Sequence, residues 1–256
     1  MDWGRAKSIL ILSFLFLNIV LGFQLWDSKS KETELTLDTS LITAELERAL
    51  LSKNIRISKE LPKDVPKLRE ITVKFDESIR SDEKVQLRKP TTVTNILSKA
   101  TGKNSTVAAE IPHLDQYQFD SKKDGVIQFN QLFNQLPMFE VRLELFENNG
   151  QITTYQQAYV EVESGEEQKE QKVISAQIAV RSLVDKYLLD GTVITDVRLG
   201  YHGQLYNSQM QYMIPSWRVL TDNGDPYYVQ AFTGAVDEPQ KDTPAATTTI
   251  EPPAKK

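Results

Sequence analysis

Hydrophobic side chains fill residues 8–26, SILILSFLFLNIVLGFQLW, with no Lys or Arg among them. As a helix, Ile9 to Leu25 spans about 26 Å, slightly short of a roughly 30 Å hydrocarbon core. Arg5 and Lys7 precede the run, and Trp3 and Trp26 flank it where amphipathic rings favour the headgroup layer. Its Ile, Leu, Phe and Val side chains favour insertion by roughly 4–8 kcal/mol, more than Ser13 and Asn18 cost. The exit GFQLWDSKS is bulky where a signal peptidase needs small residues, so the pattern predicts a retained single N-terminal transmembrane helix. Residues 1–7 then stay cytoplasmic and the rest lies outside. On that helix Ile11, Phe14, Leu15, Asn18, Gly22 and Leu25 share one side. A mid-membrane amide gains from a partner helix, and Gly22 permits close approach, so this is the candidate partner-binding face. The alternative is a passive anchor that tolerates one Asn.

Beyond a polar spacer (27–34), the periodicity changes. Leu41, Ile42, Leu46, Ala49 and Leu50 predict a helix capped by Asp38, Thr39 or Ser40. Residues 55–59 and 70–76 read as strands, separated by the two prolines of ELPKDVPK. Residues 80–113 are polar, with one helix-like patch near Val93–Lys99. From 115 to 163 the pattern is β: QYQFD-KKDG-VIQFNQLF predicts one hairpin, and FEVRLELFE-NNG-QITTYQQAYVEVE another. Ala176, Ala179, Val180, Leu183, Val184, Tyr187 and Leu188 predict a second helix, capped by Ser175 and ended by Gly191. Strands TVITDVRLGYH, QMQYMIPSWRVLTD and PYYVQAFTG follow, the last two joined by the hairpin signal Asp222-Asn223-Gly224-Asp225.

The fold expected is therefore α+β: the anchor, then a mostly antiparallel-β ectodomain of two helix-on-sheet modules. Residues 35–164 form the first module, 165–172 (GEEQKEQK) a charged linker and 173–238 the second. The Pro/Thr/Lys-rich tail 239–256 reads as disordered. The first module shares the helix-then-strands order of the second, as a diverged repeat would.

Composition removes several function classes. With 30 basic and 35 acidic residues the net charge is −5, no electrostatic footprint for nucleic acid. Absence of cysteine excludes disulfides, thiolate metal sites and thiol catalysis. Only two histidines are present, His113 in a loop and His202 in GYHG, and neither sits in a metal-ligand spacing. Asp120 and Asp124 around SKK lack the alternating oxygens of a calcium loop and read as a turn. Glu161 and Glu163 alternate with Val160 and Val162, which is a solvated strand face. No nucleophile motif or phosphate-cradling loop appears, so no catalysis, cofactor or metal is expected.

The opening MDWGRAKSILILSFLFLNIVLGFQLW, with LGYHG, PSWRV and YYVQAFTGAV, resembles the YycI family of Gram-positive membrane proteins, from the first residue to about 237. PSWRVLTDNGDPYYVQAFTGAV is also similar to the hairpin of PepSY-type domains. The YycI resemblance implies a single-pass cell-membrane protein with an extracytoplasmic β-rich domain. It implies partnership with YycH and regulation of the WalK (YycG) sensor histidine kinase of the WalK–WalR system, which adjusts cell-wall metabolism. Contact would run largely through transmembrane helices, in a homo- or hetero-oligomer. The rival expectation is a PepSY-like module that binds a wall ligand or peptidase on a passive anchor.

Overall fold

In the computed structural model the described residues are 13–18, 20–21, 39–76, 78–79, 83–100, 110–163, 169–203, 210–224 and 226–237. Of the expected membrane span, 13–18 and 20–21 are described and are helical, and the remainder lies outside the described residues. Among the described residues no helix is long and apolar enough to cross a membrane.

Helix α1 (Thr39–Ser52) buries Leu46 and leaves Leu41 and Leu51 exposed. Asn54, at φ 52°, turns the chain into β1 (Arg56–Ile57), and β2 (Lys67–Leu68) and β3 (Ile71–Phe75) follow. The stretch read only as a helix-like patch also holds a strand: β4 (Val85–Thr91) precedes α2 (Val93–Ala100). Pro90 lacks a ladder donor, and β4 tolerates it because it lies at a sheet edge.

A meander comes next, built from β5 (Tyr117–Lys123), β6 (Val126–Phe133), β7 (Leu136–Asn148) and β8 (Gln151–Gln157). Three two-residue turns join them, Asp124-Gly125, Asn134-Gln135 and Asn149-Gly150, each with positive φ at both positions. That geometry matches the right-handed twist of the flanking strands. The run QITTYQQAYVEVE, expected as one strand, breaks at Ala158-Tyr159: β9 (Val160–Val162) leaves the ladder of β8 and pairs with β3. Within the expected linker, β10 (Gln171–Lys172) pairs with β2.

Ser175 caps α3 (Ala176–Val184), its hydroxyl accepting from the Ile178 amide. Contrary to the sequence reading, the helix stops at Val184, well before Gly191. Tyr187 and Leu188, four and five residues on, both donate backbone N–H to Leu183 O, and this widened turn brings Leu188 into the core. The chain ends in β11 (Val193–His202), β12 (Met210–Thr221), β13 (Pro226–Gln230) and β14 (Val236–Asp237).

Long bent strands merge three patches into one mostly antiparallel sheet, in the order β14-β13-β12-β11-β7-β6-β5. The beginning of β12 pairs with β3 and the rest pairs with β11 and β13. Helices α1 and α3 cover one face of β11–β14, burying Val180, Leu183, Trp217 and Val219 around Leu46. Trp217 Nε1 donates to Ile174 O at 2.9 Å, so the indole is satisfied inside that core. The first helix of the expected first module thus packs in the core of the second. A second core lies on the meander, around Ile96, Ile111, Phe129 and Leu143, and a third under β3, β9 and β12. The fold is α+β in this sense: β-rich, with few helices among the described residues.

Candidate functional site

The face of β11–β13 turned away from α3 is polar, and the meander closes over it. Cross-strand partners share a face, so Arg198, Arg218, Tyr228 and Asp237 form one row across β11, β12, β13 and β14. Gly200, Ser216 and Gln230 form the next row, and His202 lies one pair further.

Asp120 enters this face from a bulge in β5, between Phe119 and Ser121. Its carboxylate accepts two bonds from Arg218, Nη2 at 2.6 Å and Nη1 at 3.0 Å, and one from Arg198 Nη1 at 3.0 Å. Asp196 Oδ2 stands 3.4 Å from Arg198 Nη2 and 3.9 Å from Arg218 Nη2. Arg218 and Asp120 side chains are only 6% and 5% exposed, and the guanidinium of Arg218 lies 4.6 Å from the centre of the Phe139 ring. Burying like charges side by side is costly, and the two carboxylates offset that cost. Phe139 stands over Gly200: a Cβ there would fall 2.4 Å from Pro137 O and 2.6 Å from the ring.

At the end of this face His202 is gripped on both nitrogens. Glu140 Oε1 lies 2.6 Å from Nδ1 and Asp237 Oδ2 lies 3.1 Å from Nε2. Glu140 also accepts from the Gly203 amide at 3.2 Å. The imidazole stacks on Tyr228, centroids 3.7 Å apart and planes 4° off parallel. Burial alone acts to lower the His202 pKa, but the hydrogen bonds and charges of Glu140 and Asp237 outweigh it and hold the group above its ordinary value. Burial, helped by the Glu140 charge, pushes the Tyr228 phenol up to about 12. Beside the cluster is an open cleft of about 420 Å³, bordered by Tyr212, Ser216, Gln230 and Val236.

The sequence-derived candidates fall elsewhere. Phe14 and Leu15 are exposed, and Asn18 Nδ2 donates to Phe14 O one turn back at 2.9 Å. Ile11, Gly22 and Leu25 lie outside the described residues. His113, at φ 54°, stacks on Tyr159 at 4.0 Å. Glu161 pairs with Lys74 across β9 and β3. Asp120 is a correction: only Asp124-Gly125 makes the expected turn, and Asp120 is a buried ion-pair member in a strand. Sequence reasoning missed this cluster and the His202 grip. The available signal was the alternation in TDVRLGYH, which sets Asp196, Arg198 and His202 on one face.

Among the described residues no three or more His, Asp or Glu side chains are grouped to hold a metal ion. The carboxylates beside His202 bind opposite nitrogens of the ring instead of converging on a common point. What the fold and this face define is a β-rich protein whose two halves are locked by buried ion pairs. The family model described as YycI protein matches residues 18–232, and the chain belongs to the YycI family. No curated protein matches it. A crystal structure of an uncharacterized protein from Eubacterium rectale ATCC 33656 aligns over 80% of this chain and 83% of its own, at 10% identity and a TM-score of 0.34.

Proposed function

We propose that this chain is a membrane-anchored, non-catalytic regulator that, with YycH, modulates the WalK/YycG sensor histidine kinase governing cell-wall metabolism. The observation that carries the reading is family membership over residues 18–232, since YycI is a regulatory family of that system. Helix 8–26 is the anchor in this reading, with residues 27–256 on the outer face of a Gram-positive cell membrane. It packs beside the kinase's transmembrane helices and biases one of their two arrangements. A bias of about 1.4 kcal/mol changes their ratio tenfold, which a few interhelical contacts supply. Asn18 is the favoured contact: the Nδ2–Phe14 bond uses one donor, and an amide carries a second N–H and an acceptor oxygen.

The test uses a strain lacking the protein and a reporter driven by the kinase's response regulator. It carries residues 1–32 fused to an inert external domain, with and without Asn18→Leu. Restored output that Asn18→Leu weakens supports regulation through the anchor. A silent fusion, alongside a native ectodomain that works on a foreign helix, overturns it.

A further inference from the structure

We propose that His202 is a pH-operated clasp on the last strand: its imidazolium holds β14 shut against β13, and loss of its proton releases Asp237 and bares the β13 edge. The geometry carries this. His202 belongs to β11, Glu140 to β7 and Asp237 to β14, so one ring bridges strands from both sides of the sheet junction. An imidazolium donates from both nitrogens, whereas a neutral imidazole has a single N–H.

Which contact survives deprotonation follows from the surroundings. Glu140 is the closer carboxylate and is itself held by the Gly203 amide, so the remaining proton stays on Nδ1. Nε2 then presents a lone pair to the Asp237 carboxylate 3.1 Å away, and attraction becomes repulsion. Asp237 is the freer partner, with its side chain 46% exposed against 10% for Glu140. β14 is lightly held: among the described residues it has two, paired as Val229↔Val236 and Tyr228↔Asp237, with Val236 half-buried against the core.

Other groups around the ring do not reverse the direction. From β13 Tyr228 stacks on it and stays neutral far above physiological pH. From β12 Ile214, Tyr212 and Ser216 approach, none of them charged. Arg142, Arg218 and Asp120 act one layer back, on Tyr228. The sign is then fixed. A histidine held above its ordinary value contributes stability below about pH 6.5, and that contribution is lost as pH rises through the folded value. The clasp is shut in acid and opens toward alkaline pH.

The test takes the full-length chain in nonionic detergent and follows two signals from pH 5.5 to 9. One is the imidazole NMR resonance of His202, distinguished from His113, the only other histidine, by its loss in His202→Gln. The other is hydrogen exchange of amides 227–237, corrected for intrinsic rates. Expected is a His202 midpoint above 6.5, with protection of 227–237 falling about tenfold relative to β12 over the same interval. His202→Gln should lack that drop and be poorly protected throughout. Asp237→Asn should also lack it while keeping its protection, because an amide satisfies either form of the ring. Uncoupled titration and exchange, a protected β14 in His202→Gln, or an unchanged drop in Asp237→Asn would each overturn the clasp. Since Asp237 lies on the surface, the last variant gives a result even if His202→Gln does not fold.

Discussion

Arg198 and Arg218 sit directly opposite each other on β11 and β12, and both donate to the same buried carboxylate, Asp120, from β5. Two guanidinium groups at adjacent positions repel; a shared anion from another part of the fold turns them into a joint between the meander and the C-terminal sheet.

Removing that anion leaves two arginines facing each other, one of them almost wholly buried. Asp120→Ala should lose about 3–5 kcal/mol in equilibrium urea unfolding. Combining it with Arg218→Met should recover part of the loss, because an apolar side chain no longer needs the carboxylate. A double variant no more stable than Asp120→Ala would show that the joint is not electrostatic.

Gly200 is constrained by space, unlike the turn glycine Gly150. Pro137 O and the Phe139 ring occupy the position of its missing Cβ, so Gly200→Ala should cost about 1–3 kcal/mol by forcing β7 away from β11. Gly150→Ala meets open space and should cost less, only the strain of its φ of 78°. Thermal unfolding of the pair ranks them.

Gln131 replaces a missing strand neighbour. Its side-chain amide donates to Val160 O at 2.7 Å and accepts from Val160 N at 3.0 Å, closing the free edge of β9. Gln131→Leu would leave a buried donor and acceptor unpaired, at about 1–3 kcal/mol for each group. The local readout is faster hydrogen exchange at Val160–Val162 with little change in β11–β12.

Alkaline titration should find Tyr228 among several buried phenols, with Tyr117, Tyr155 and Tyr201, that resist losing their protons. The Tyr228 phenol is held at about 12 in the fold against about 10 when unfolded. The folded chain therefore keeps a proton that the unfolded chain loses, and stability falls as pH rises from about 10 to 12. Tyr228→Phe should lessen that slope without abolishing it, because Tyr117, Tyr155 and Tyr201 are shifted the same way, as followed by urea midpoints across the range.

Elements with strong local patterns were legible in the sequence, and the contacts between them were not. Asn149-Gly150, the β12–β13 hairpin with its positive-φ Gly224 and the Ser175 cap each follow from residues within a few positions, where turn and cap chemistry decides. Strand β4 was hidden because Pro90 argues against a strand until its edge position is known. Asp120 looked like part of a turn because a bulge, which only pairing with β6 defines, swings it inward. His202 and Glu140 are separated by 62 positions and meet through sheet order alone, which no periodicity encodes. The anchor face from Ile11 to Leu25 rests on helical spacing, and of its six residues Phe14, Leu15 and Asn18 are among those described.

The packing of α1 against α3 also governs when the molecule can acquire its structure. Lys53 Nζ reaches Leu188 O across 135 positions, and Arg56 pairs with Val193 in parallel. An early-made helix must therefore wait, with Leu46, Ala49 and Leu50 uncovered, until the chain has been synthesised past Val193. Such distant closure favours slow folding and a long-lived sticky intermediate. Removing α3 and the turn to Leu188 would strand the first helix, because its packing partners lie there.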